Sequence, residues 1–387
     1  MDFSKIINPA VEDIKPSGIR KFFDIAQNMN DVISLGVGEP DFPTPWKIRA
    51  AAIRSLEDSK TRYTSNSGLL QLRQALSSYL LRKYSLLYDP ENEMLITVGA
   101  SEAVDMAMRT IITSGDEVII PQPSYVCYEP ITRLAGGIPV IINTKAENSF
   151  KLTAEELLGK ITPRTKALIL PYPCNPTGAI MEREELERIA EVIRKTNIIV
   201  ISDEIYSELT YNSRHVSIAE LDGMKERTVL INGFSKSFSM TGWRLGYACG
   251  PRELISRITK IHQYAIMCAP TTSQYAAVAA ITECDNEVKR MVDEYDLRRR
   301  IIVNGFNKLG LSCHEPKGAF YAFPSIKSTG MSSDEFCERL LYSKHIALVP
   351  GTAFGESGEG FVRASYCYSV DHINKALVKI GEFLSEI

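Results

Sequence analysis

Short apolar runs recur through the first two-thirds of the chain, and the stretches between them repeat at helical spacing. The runs are Met94–Val98, Glu117–Pro121, Ile138–Ile142, Ala167–Pro171, Ile198–Ser202, Thr228–Asn232 and Leu245–Gly250. Several are continuously apolar instead of alternating, which is the pattern of strands covered on both faces. Amphipathic segments such as Ser101–Thr113 and Glu182–Lys195 lie between them. This alternation predicts an α/β fold built on a large, mostly parallel seven-stranded sheet. From about Cys284 the pattern changes. A long charged helix is expected over Asn286–Leu309, followed by short strands at Ala319–Phe323, Ile346–Val349 and Gly360–Ala364. That reads as a smaller α+β domain over 285–387, set against a large domain over 46–284. Residues 1–45 are interrupted by Pro16, Gly18, Pro40, Pro43 and Pro45; they are expected to join the small domain and lie near the crevice.

In parallel sheets ligands bind beyond the carboxyl ends of the strands. The polar residues that end the runs are therefore the candidate site: Ala100 and Ser101, Tyr125, Asn175, Asp203 and Lys236. Lys236 stands in Asn232-Gly-Phe-Ser-Lys-Ser-Phe-Ser-Met-Thr-Gly-Trp-Arg244, directly after a strand. An amine delivered into a crevice, with Arg244 eight residues on to hold a phosphate, suggests a phosphorylated aldehyde bound as an imine. Pyridoxal 5'-phosphate is such a group. Asp203, at the end of a buried strand, is costly unless it meets a cation such as a protonated pyridine nitrogen; the alternative for it is a helix N-cap. Tyr206 and Asn175, the latter in Pro171-Tyr-Pro-Cys-Asn-Pro-Thr-Gly178, can reach the ring oxygen of the same ligand. The backbone amides of Ala100 and Ser101 open a helix and favour an anion. The Ser101 hydroxyl and Ser235 extend that cradle. Tyr125 offers a face to stack on a planar ring. Arg363, mid-strand in Gly360-Phe-Val-Arg-Ala-Ser365, needs a partner: a substrate carboxylate or an internal salt bridge.

Charge and cysteine content narrow the class. With a net charge of −3 the chain carries no basic excess for nucleic acid. Its eight cysteines form no Cys-x-x-Cys pair and its five histidines do not cluster, so free thiols and no metal site are expected. Gly36-Val-Gly38 opens no helix and is not a dinucleotide loop. The opening Met-Asp-Phe-Ser-Lys lacks a signal-type apolar core, and no apolar stretch is long enough to span a membrane. A cytoplasmic location is expected.

Taken together these residues resemble the class I/II aminotransferases of fold type I. The likeness runs through Ser34-Leu-Gly-Val-Gly-Glu-Pro-Asp-Phe42, Tyr63 to Gly68, Gly99 to Ala103, Asn175 to Gly178, Ser202 to Tyr206, Ser235 to Gly246, and Arg363. The resemblance implies that Lys236 forms the imine, Asp203 binds the pyridine nitrogen, Tyr206 and Asn175 bind the ring oxygen, and Tyr125 stacks on the ring. It implies that Arg363, with Asn175 and the Gly38 backbone, holds the substrate carboxylate. It also implies a homodimer in which Tyr63 reaches the phosphate in the neighbouring subunit. Two positions depart from the pattern. Gly233 stands where a phosphate-binding serine is frequent, and Ser101 stands where some aspartate-specific relatives carry a lysine. Ser17-Gly-Ile-Arg-Lys-Phe22 and Ser202 to Tyr211 look most like aromatic-amino-acid and N-acetyl-diaminopimelate aminotransferases, beside the aspartate enzymes. Arg20 is the candidate for a distal substrate carboxylate. The implied activity is transfer of an amino group to a 2-oxo acid such as 2-oxoglutarate. A carbon–sulfur β-lyase of the cystathionine type is the competing enzyme, and a regulatory module on the same fold is the competing non-enzyme.

Overall fold

The computed structural model describes residues 1, 3–16, 18, 29 and 31–387. Twelve strands are formed among them: β1 (Ile33–Ser34), β2 (Met94–Thr97), β3 (Glu117–Gln122), β4 (Ile138–Asn143), β5 (Thr165–Leu170), β6 (Ile199–Asp203), β7 (Thr228–Gly233), β8 (Gly246–Cys249), β9 (Tyr321–Ala322), β10 (Ile346–Ala347), β11 (Val349–Pro350) and β12 (Val362–Ser365). The seven expected strands make one sheet in the order β2-β8-β7-β6-β5-β3-β4. All neighbours run parallel except β8, which is antiparallel to both β2 and β7.

The period-2 alternation of strand side chains sorts the apolar residues onto two faces. Leu168 and Val200 point to one face, where the helix Arg183–Ile193 buries Leu186, Ile189, Ala190 and Ile193. Ala167, Ile169, Ile201, Val229 and Ile231 point to the other, against Ala103, Val104, Ala107 and Ile111 of the helix Ala100–Ile111. Each buried Leu or Ile contributes about 1.5–3 kcal/mol relative to exposure. Both faces being covered is why the runs are continuously apolar.

The C-terminal part holds the 24-residue helix Asp285–Lys308 and two small sheets. β1 pairs in parallel with β10, so the chain's early segment is joined to the late one, while β12 lies between β11 and β9. The strand expected over Ile346–Val349 is two. Ile346 pairs with Ile33 while Val349 pairs with Arg363, and the chain changes partner at Leu348. The strand expected at Ala319–Phe323 starts later, because Ala319 takes a left-handed φ of 56°. Gly360, at φ 81°, delays the last strand in the same way.

Candidate active site

The strands β2, β3, β5, β6 and β7 all end at one edge of the sheet, and strand order reverses between β3 and β5. A cavity of about 610 Å³ opens there. Its walls include Gly38, Ala100, Ser101, Tyr125, Asn175, Asp203, Tyr206, Ser235, Lys236, Arg244 and Arg363. Twelve of the expected site residues are thus accounted for as follows: eleven line one space, and Tyr63 does not. Tyr63 is 81% exposed on the surface of its own chain. Arg20 lies outside the described residues.

β7 runs buried to Gly233 and the chain then turns, presenting Lys236 to the cavity. Its Nζ donates to the Gly38 carbonyl at 2.7 Å. Burial lowers its pKa to about 8, with Arg363 and Arg244 pushing the same way against Cys367 and Glu39. A lysine so placed is uncharged in a useful fraction near neutral pH.

β6 ends on Asp203. Its Oδ2 accepts from the Tyr128 hydroxyl at 2.8 Å, and its Oδ1 accepts from the Ile205 amide at 3.2 Å. No helix follows, so the second bond closes a turn and the N-cap alternative is set aside. Burial raises the Asp203 pKa to about 6. A carboxylate buried against a phenol and one amide has no cation of its own among the described residues, and it faces the cavity.

The anion cradle stands at the amino end of the helix Ala100–Ile111. Gly99 has φ 81°, and a Cβ there would fall 2.7 Å from Arg244 Nη2. Only glycine lets the guanidinium approach. Arg244 itself takes a left-handed φ of 52°, an uncommon conformation for a non-glycine residue. Its Nη1 donates to the Thr241 carbonyl at 3.1 Å. Ser235 is buried beside this group and Ser101 is exposed to the cavity. Tyr125 packs edge-on to Tyr128 at 6.1 Å; burial raises its pKa, and the Ser101 side chain acts against the rise.

Arg363 is 2% exposed. Its Nη1 donates to Asn175 Oδ1 at 2.8 Å and its Nη2 to the Gly36 carbonyl at 2.5 Å. Among the described residues its Nε has no partner and no carboxylate pairs with it. The internal salt bridge considered for it is not formed among the described residues. The guanidinium rests 4.5 Å from the Tyr321 ring centroid and 4.8 Å from that of Phe354. A buried guanidinium held by neutral groups, with a spare N–H, can take a carboxylate.

Two tyrosines belong to this arrangement that sequence reasoning missed. Tyr128 holds Asp203, and Tyr321 meets Tyr206 hydroxyl to hydroxyl at 2.8 Å. Tyr128 had a faint signal, three residues beyond Tyr125 where a helix begins. Tyr321 sits in Phe320-Tyr-Ala-Phe323, which reads as core. Among the described residues no group of three or more His, Cys, Asp or Glu is placed to hold a metal. The donor set instead suits a planar ligand with a phosphate at one end and a protonated ring nitrogen at the other.

Comparison with known proteins identifies the family. The model of the family Aminotransferase class I and II matches residues 30–380. The aspartate aminotransferase of Pyrococcus abyssi is 45% identical over 376 residues, covering 96% of this chain and 97% of its own length. Aromatic-amino-acid aminotransferase 2 of Thermococcus litoralis is 41% identical over 383 residues, covering 98% of each. Among solved structures, the aspartate aminotransferase of Thermus thermophilus with maleate has a TM-score of 0.93 at 35% identity, covering 97% of this chain and 99% of that one.

Proposed function

The chain belongs to aminotransferase class I and II, and from that premise we propose that it works with pyridoxal 5'-phosphate carried by Lys236, on an amino donor with a large apolar or aromatic side chain. It is an enzyme of the transaminase type, moving an amino group between an amino acid and a 2-oxo acid. The observation that carries the finer reading is the gathering of Lys236, Asp203, Arg244 and an unpaired Arg363 around one cavity.

The residues present fit the cofactor. Arg244, the amides of Ala100 and Ser101, and Ser235 would hold its phosphate. Asp203 would meet its ring nitrogen, Asn175 and Tyr206 its ring oxygen, and Tyr125 its face. When bound, it supplies an electron sink for charge developing at the substrate Cα, and the carbon that receives the amino group. The protein's own work is orientation and proton movement. Asp203 gains the cation that its burial demands. Lys236, uncharged in part near neutral pH, would take and hold the proton that leaves the substrate Cα. Arg363, steadied by Asn175 and the Gly36 carbonyl, holds the substrate carboxylate so that the Cα–H faces Nζ.

For the substrate side chain the lining matters. The described cations on the cavity wall are Lys236, Arg244 and Arg363, and each is matched to a group already named. The remaining wall includes Val37, Val126, Ile205 and Leu348, which favours an apolar or aromatic side chain over a second carboxylate. Arg20 is the proposed contact for the distal carboxylate of the acceptor, 2-oxoglutarate. A panel of L-tyrosine, L-phenylalanine, L-aspartate and N-acetyl-LL-diaminopimelate against 2-oxoglutarate tests this. The aromatic donors are expected to exceed aspartate in kcat/KM by roughly tenfold or more, because an aromatic side chain buries more apolar surface against Val37, Val126, Ile205 and Leu348 than the aspartate side chain does. Aspartate equal or better would overturn the side-chain assignment. Cystathionine without an acceptor is expected to yield no pyruvate.

The carboxylate assignment has its own test. Arg363→Lys keeps the charge and loses the planar fork, so kcat/KM is expected to fall roughly 30- to 100-fold, mostly through KM. An unchanged KM would remove Arg363 from substrate binding.

We also propose a homodimer with Tyr63 crossing to the partner's phosphate. In support, Tyr63 is exposed and shares its neighbourhood with Met267, whose carbonyl accepts from Asn66 at 2.8 Å. Tyr264, Ile266 and Met267 expose apolar surface there too, Tyr264 by 87%. A cytoplasmic location is proposed on the eight unpaired cysteines. No helix among the described residues is long and apolar enough to cross a membrane.

A further inference from the structure

Three of the groups named above converge on one side chain that has been given no role. Tyr321, on β9, is 1% exposed. Its hydroxyl lies 2.8 Å from that of Tyr206. Its ring lies under the Arg363 guanidinium, 4.5 Å from centroid to carbon. A Cβ on residue 38 would fall 2.0 Å from the Tyr321 hydroxyl oxygen. The phenol thus takes the space a side chain at 38 would occupy, beside the carbonyl that receives the Lys236 amine. The two ends of Tyr321 act on different neighbours: the ring faces Arg363 and the hydroxyl faces Tyr206.

We propose that Tyr321 is a positioning residue that serves two subsites at once, fixing the carboxylate-binding guanidinium with its ring and strengthening Tyr206 as a hydrogen-bond donor with its hydroxyl. This rests on the cofactor reading given above. Two hydroxyls that share one hydrogen bond use one proton between them. When Tyr321 donates, the Tyr206 proton is free to face the cavity, and the donated bond makes Tyr206 the stronger donor. A phenylalanine at 321 would fill the same space and stack on the same guanidinium, yet it could give Tyr206 nothing. The ring contribution is a cation–π contact between two buried side chains, where such contacts are strongest. Phe354 supplies a second ring at 4.8 Å, so loss of the Tyr321 ring loosens Arg363 without releasing it.

The two effects separate in two variants of the holoenzyme. In Tyr321→Phe, the pH at which the absorbance of the bound cofactor titrates is expected to move upward, by less than in Tyr206→Phe. A weaker donor stabilises the deprotonated chromophore less, which sets this direction. The dissociation constant of maleate, a carboxylate that needs no turnover, is expected to stay unchanged. In Tyr321→Leu, maleate binding is expected to weaken roughly 3- to 30-fold. A purely structural role would lower the melting temperature and leave the titration where it was. If Tyr206→Phe moves the titration and Tyr321→Phe does not, the inference is wrong and the cofactor reading stands. If the wild-type protein binds no titrating chromophore, both fall together. Tyr321→Phe keeps the core volume, so the decision does not depend on the leucine variant folding.

Discussion

Lys236→Ala is expected to lower amino-group transfer by at least about 10⁴-fold, the upper end of what one positioned general base contributes. Nζ is the amine on the cavity wall, part-buried, and it donates to the Gly38 carbonyl. An arginine in its place would stay charged and could not take a proton. The depressed pKa gives a second, independent handle. A base whose pKa is lowered on folding is uncharged above that value, here about 8, and charged below it. Capture of an aldehyde needs the uncharged amine. The rate at which cofactor-free protein takes up pyridoxal 5'-phosphate is therefore expected to rise roughly tenfold per pH unit below about 8 and to level off above it. Stopped-flow absorbance measures this, and borohydride followed by peptide mapping identifies the amine. An alanine variant retaining a few per cent of activity, or a label on another lysine, would end the assignment.

The fold was legible because both faces of the central sheet are covered, which leaves a continuous apolar signature at each strand. The candidate site was legible because the polar residues that interrupt those runs all fall at one edge. Asp203 and Arg363 stood out for a further reason: an ionisable group in an apolar run needs an explanation, and in both cases the space beside it is the cavity. What escaped has equally physical causes. The reversal of β8 was invisible, since a buried strand has the same composition in either direction. Tyr128 and Tyr321 were missed because a buried tyrosine in an aromatic or small-residue context looks like packing until its hydroxyl is seen to meet Asp203 or Tyr206. The break at Leu348 depends on two partners, Ile33 and Arg363, that are hundreds of residues apart in one case and close in the other, and local pattern cannot register that.

Asp203→Asn is expected to cost roughly 10³-fold in kcat, at the upper end of the loss from deleting one preorganised electrostatic partner, while stabilising the cofactor-free protein. The two effects have one source. Burial raises the folded-state pKa of Asp203 to about 6 from the ordinary 3.8. For an acid whose pKa is raised on folding, the penalty is fully present above the folded value. It fades as pH falls from about 6 towards 3.8 and is gone below that. The shift corresponds to a penalty on the order of 3 kcal/mol. Asparagine keeps its one oxygen for the Ile205 amide, donates its Nδ2–H to the Tyr128 hydroxyl oxygen, and carries no charge to bury. The cofactor-free Asn variant should therefore melt above wild type at pH 8, with the gap closing by about pH 4. Saturation with pyridoxal 5'-phosphate should reverse the order at pH 8, because the carboxylate then meets a cation and the amide does not. Calorimetry of both proteins, with and without cofactor, decides the matter. An Asn variant no more stable than wild type at pH 8 would mean that the carboxylate has a compensating partner already, and the pairing with a ring nitrogen would lose its physical basis.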